Sequence, residues 1–147
     1  MSQPVHNVAF RLKNIKEVNS FKSDELQTTN INEDDLSVEH LVKTIIKTDE
    51  NQLQVLVGVR YLKRFTELYK LELLLCYELQ NMSEVIQVDK ENQKINIPKD
   101  LLFTFLSVAI GTLRGALYEK TKETSLSSYP LPMIPSEQLI NSNSFML

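Results

Sequence analysis

Few residues in this chain have types and spacing that could do chemistry. His6 and His40 are the only histidines and Cys76 the only cysteine. A zinc site needs three or four nitrogen or sulfur ligands at short spacing, and no His-x-x-x-His or paired cysteine occurs. Nucleophilic catalysis needs a base beside the nucleophile. Cys76 lies within an alternating apolar run with no histidine near it in sequence, so it reads as a buried thiol. His6 sits near the start of the chain, and His40 falls on an apolar strand face as a satisfied core residue. The carboxylate pairs Asp34-Asp35 and Asp49-Glu50 occupy turns, where a solvated surface accounts for them. A phosphate-cradling loop needs clustered glycines, and the three here are scattered at Gly58, Gly111 and Gly115. The expected site has no catalytic residue, no metal and no cofactor. An enzyme is not expected.

The elements around these residues are clearer than the chemistry. Four stretches alternate at period two, as half-buried strands do. The first runs through Val8, Phe10 and Leu12, then resumes out of phase through Ile15, Val18 and Phe21, which predicts a bulge near Asn14–Lys16. The second, Leu36–Thr48, puts Val38, His40, Val42, Thr44 and Ile46 on one face. The third is Gln52–Leu62. The fourth, Glu67–Gln80, carries Tyr69, Leu71, Leu73, Leu75, Tyr77 and Leu79 on one face, with Lys70, Glu72 and Glu78 on the other. Connections short enough for hairpins join them. Residues 81–97 form a polar connection with weak extended character at 85–88 and 94–97.

A long helix follows at Asp100–Thr121, introduced by Pro98. From Leu101 to Tyr118 its only charge is Arg114, so it is apolar on more than one side and expects more cover than one chain of this length supplies. Ser107, Gly111 and Gly115 form a row one turn apart. Glycine costs about 1 kcal/mol against alanine in a helix interior. Either helices of different subunits approach there, or the helix packs tightly on its own sheet. The segment is near the short limit for a membrane span and contains an arginine and two glycines, so no membrane insertion is expected. The remainder holds a proline- and serine-containing stretch, a short helix at Ser136–Asn141 and a disordered tail at 142–147. Together these describe an α+β fold in a single domain over 5–141: a four-stranded antiparallel sheet, one long C-terminal helix and a short second helix.

Bulk properties are those of a soluble globular protein: 147 residues, 42 % hydrophobic, 24 % charged, net charge −3. With no basic cluster beyond Lys63-Arg64, no nucleic acid is expected as a partner. The lone cysteine and the lack of a signal-peptide pattern point to the cytoplasm.

Three pieces of sequence resemble the SecB export-chaperone family. They are the strand Leu73–Asn81 with its Glu78-Leu79-Gln80 end, the helix after Pro98 opening with Leu101-Leu102-Phe103, and the helix exit Gly111–Tyr118 with Thr121–Thr124 and Tyr129–Pro135. The order of elements is similar over roughly Val5–Ile140. The resemblance implies a homotetramer, a dimer of dimers with the long helices between sheets, that holds unfolded or precursor polypeptides and passes them to a SecA-type motor. It implies a client groove at the crossover, with Leu126, Tyr129, Leu131, Met133 and Ile134 as candidates, though several of these could instead pin the loop to the sheet. The partner-binding sheet face would present Glu72 and Glu78, which a plain solvated face explains equally well. Main-line members are strongly acidic there. Here Lys70 interrupts the row and Lys43 and Lys47 share that side, which weakens electrostatic docking to a motor. A chaperone dedicated to one client, such as an antitoxin, or a non-catalytic oligomeric adaptor fits these residues as well.

Overall fold

The computed structural model describes residues 9–27 and 31–147. His6, Val8 and the Thr28–Asn30 part of the first loop lie outside the described residues. In chain order the strands and helices are β1 (Phe10–Lys22), β2 (Leu36–Lys47), β3 (Gln52–Lys63), β4 (Thr66–Leu79), α1 (Met82–Val85), β5 (Gln87–Asp89), β6 (Lys94–Asn96), α2 (Lys99–Thr121), α3 (Ser136–Ser142) and β7 (Ser144–Met146). The architecture is mixed α+β with one long helix near the C-terminal end.

Two expectations about the sheet need correction. The main sheet has five strands in the order β1-β4-β3-β2-β7, because part of the tail expected to be disordered is β7. It is mixed, since β7 runs parallel to β2 while the other pairings are antiparallel. In the main sheet β2–β3 and β3–β4 are joined as hairpins, and β5–β6 forms a separate two-stranded one. β1 lies beside β4, so the chain crosses over from it to β2. Asn51 and Arg64 take left-handed conformations at the two hairpin turns, a region more open to asparagine than to most residues.

The phase change in β1 has a direct cause. Register shifts fall between Leu12 and Asn14 and between Glu17 and Asn19, on either side of the expected bulge. An extra residue rotates everything after it to the opposite face. Phe10, Leu12, Ile15 and Glu17 consequently pair with Leu79, Tyr77, Leu75 and Leu73, all on the α2 side.

The core forms where α2 lies on that side. Phe105, Leu106, Ala109 and Leu113 are fully buried against Val55, Val57, Leu71, Leu75 and Tyr77. By length and composition α2 could cross a membrane; here one face packs on the sheet, as in a core helix. Tyr77 donates to the Phe105 carbonyl at 3.2 Å. Phe105 and Phe10 stack edge-on at 4.9 Å, and Lys120 pairs with Glu17 at 2.9 Å. These two contacts tie α2 to β1 at two points, while its main packing is on β3 and β4.

Candidate functional site

The segment after α2 is positioned by backbone carbonyls. Thr121 donates to Leu117 and Thr124 to Thr121, closing the helix, and the Thr124 side chain accepts from the Leu126 amide. Tyr61 then donates to the Tyr129 carbonyl at 2.6 Å, and Arg114 reaches the Leu131 and Pro132 carbonyls at 3.4 and 3.3 Å. Tyr129 in turn donates to the Ile31 carbonyl. The crossover is thus tied to β3, to α2 and to the end of the first loop.

That tethering divides the five candidate groove residues. Leu126 and Leu131 are 1 % and 4 % exposed and belong to the core, so neither is open to a client. Tyr129 and Ile134 are half-buried and pack against the core. Met133 stands 84 % exposed and is the one of the five that faces solvent freely.

A larger apolar surface lies elsewhere. On the edge strand β1, Phe10, Leu12, Ile15, Val18 and Phe21 are each between 40 % and 48 % exposed. The second register shift falls at Val18 and puts Phe21, paired with Lys70, on the other face of the sheet. Leu12 and Ile15 sit on the α2 side, between the Phe10–Phe105 stack and the Glu17–Lys120 pair. On α2, Val108 and Tyr118 are also exposed, one heptad from Gly115 and Gly111 and so on the face of the glycine row. The alternation in β1 revealed these residues as apolar, but expected them to be covered.

Gly111 and Gly115 are exposed, and Ser107 is half-buried. A Cβ built on either glycine meets no atom within 4 Å. The row does not face its own sheet. Gly58 differs: a Cβ there would stand 2.8 Å from Glu72 Cγ, so the glycine lets the Glu72 side chain cross β3.

On the outer face of the sheet, Glu72 and Glu78 are both partnered. Glu78 accepts from Arg11 at 2.7 Å and pairs with Lys13 at 3.3 Å, and these hydrogen bonds, Arg11 first, hold its carboxyl below the usual range. Glu72 lies 3.5 Å from Lys70, and Glu39 pairs with Arg60. Glu72 and Glu39 each face one cation and Glu78 faces two, so none of the three presents an uncompensated negative charge. Cys76 is buried, and half-buried His40 lies 3.3 Å from the Ser142 hydroxyl. Among the described residues, no three His, Cys, Asp or Glu side chains group as metal ligands.

No protein-family model matches the chain, and no curated protein does. Among solved structures it is similar to the SecB-like chaperone Rv1957 of Mycobacterium tuberculosis, in complex with a ChAD peptide from the Rv1956 HigA1 antitoxin. The two share 10 % identity over 85 % of this chain and 86 % of that one, with a TM-score of 0.48. A likeness at that level assigns neither a family nor a function.

Proposed function

We propose that this chain is a SecB-like, non-catalytic chaperone that holds unfolded polypeptides against exposed apolar surface. The observation that carries the reading is the open apolar surface of Phe10, Leu12 and Ile15 on the α2 side of β1. Monomeric soluble proteins seldom expose contiguous apolar area beyond a few hundred Å², and larger patches mark interaction sites. Met133 adds a flexible apolar side chain on the crossover, of the kind that adapts to many partners. The sequence resemblance points the same way.

The assembly we propose is oligomeric, a homotetramer in the resemblance's terms, with the Ser107, Gly111 and Gly115 row at a helix–helix contact. Open space beside both glycines supports this, because close approach by a second helix offsets their helix-propensity cost. The lone buried cysteine suits a cytoplasmic address. Compensation of Glu72 by Lys70 and of Glu78 by Arg11 and Lys13 favours a general holdase, or one serving a single client, over handover to a SecA-type motor.

The test is aggregation of chemically denatured citrate synthase, followed by light scattering, with and without the protein. The intact protein should suppress scattering near equimolar ratio, and Leu12→Asp with Ile15→Asp should lose most of that effect while keeping its circular dichroism. No suppression by the intact protein would remove the chaperone reading. Full suppression by the folded double variant would move the client surface away from β1.

A further inference from the structure

We propose that the outer edge of β2 is a docking site for an extended apolar stretch of polypeptide, added as a parallel strand, and that the chain's own Ser144–Leu147 is its resident competitor. Only the source of the incoming strand rests on the chaperone reading; the edge and its occupant stand without it. β2 pairs with β3 along its whole length, but on the other side β7 covers Lys43–Ile45 alone. Among the described residues, Leu36–Val42 and Ile46–Lys47 have no strand partner on that side, though α3 packs against β2 and its Ser142 meets His40. Where no helix lies against it, such an edge offers unpaired backbone donors and acceptors to another strand.

The occupant is weakly held. All of β7 is exposed, with Phe145 and Met146 only half covered, so burial anchors it little. Its side-chain ties lie upstream: Thr44 donates to Asn143 Oδ1 at 2.7 Å, and His40 meets Ser142 at 3.3 Å. β7 can therefore leave the edge without breaking either. Asn143 Nδ2 is buried without a partner among the described residues, so the anchor itself is incompletely satisfied.

The pairing also states what the edge accepts. Phe145 sits beside Thr44, and Ser144 and Met146 lie beside Lys43 and Ile45. Large apolar residues are accommodated at two successive positions and a small polar one beside Lys43. Past β7 lies a cavity of about 300 Å³ at the end of β2, lined by Ile45, Ile46, Thr48 and Leu147 with the charged Lys47, Asp49, Glu50 and Lys90. A longer incoming strand could extend the ladder into it and so outcompete a three-residue occupant. A permanent edge guard would behave differently, because it would never yield.

The experiment is hydrogen exchange read by mass spectrometry on the full chain, with reduced, carboxymethylated α-lactalbumin as the unfolded probe. Binding should protect β2 amides and deprotect 144–147. Phe145→Lys with Met146→Lys should bind the probe about tenfold tighter, the factor by which an edge occupied ~90 % of the time is masked. Lys43→Cys with Ser144→Cys, oxidised to staple β7 down, should bind at least about fivefold more weakly and recover on reduction. Probe binding that leaves 144–147 protection unchanged, with the stapled form binding as well as the intact protein, overturns the edge inference and leaves the holdase reading standing. Absence of binding to all three forms overturns both.

Discussion

Replacing Gly111 by leucine separates the properties of one chain from those of an assembly. Within the chain the new side chain has room, since nothing lies within 4 Å of its Cβ position. Removing a mid-helix glycine should then stabilise the chain by up to about 1 kcal/mol, or roughly 2–4 °C in Tm for a domain of this size. If a second helix approaches the row, the same side chain overpacks the contact by about 1–3 kcal/mol per site. Two-fold symmetry doubles this to about 2–6 kcal/mol, weakening association by roughly 30-fold to 10⁴-fold. Size-exclusion with light scattering should show a lower mass for Gly111→Leu and for Gly115→Leu, with the circular dichroism of a folded chain kept in both. Undiminished mass in both variants would refute the helix–helix contact. A variant that keeps the intact mass yet melts markedly lower would refute the open surroundings of Gly111.

Gly58→Ala should destabilise by about 1–3 kcal/mol in urea, because its Cβ meets Glu72 Cγ at 2.8 Å. The loss should largely vanish in a Glu72→Ala background; an equal loss in both would make the Leu71 carbonyl, 3.4 Å away, the obstacle instead. Burial pushes the Tyr61 and Tyr77 hydroxyls up to about 12. A raised folded value contributes stability that is complete below the unfolded value of about 10 and is lost as pH rises towards 12. Tyr61→Phe with Tyr77→Phe should flatten that alkaline loss, and unchanged steepness in a pH series of urea melts would contradict it. Leu131→Ala should cost about 2–5 kcal/mol and Met133→Ser no more than about 0.5 kcal/mol; similar costs would mean the crossover is not tethered as described.

What the sequence made legible is what local periodicity controls. β2, β3 and β4 alternate strictly, and α2 has a proline entrance and a nearly charge-free body, so their bounds were readable to about one residue. β7 was not, because Ser-Phe-Met has no measurable period and takes its structure from a strand some hundred residues earlier. The crossover failed for a related reason. Its apolar residues lie among prolines and serines without a repeat, and tethers from Tyr61 and Arg114 decide that Leu131 is core while Met133 is free. Glu72 and Glu78 were readable as outward-facing. The cations beside Glu78 were not, since Arg11 and Lys13 arrive through the β1–β4 neighbourhood, a long-range pairing. β1 itself showed its bulge, but nothing in its own alternation said that its apolar face would lack cover.

The central claim is that this surface takes unfolded chains and leaves folded ones alone. Isothermal titration of the protein with reduced, carboxymethylated α-lactalbumin, and separately with the native disulfide-bonded form, tests it most directly. The account predicts saturable binding of the unfolded form with a negative heat-capacity change, as apolar burial requires, and no heat from the native form. Equal binding of both forms, or of neither, would contradict it.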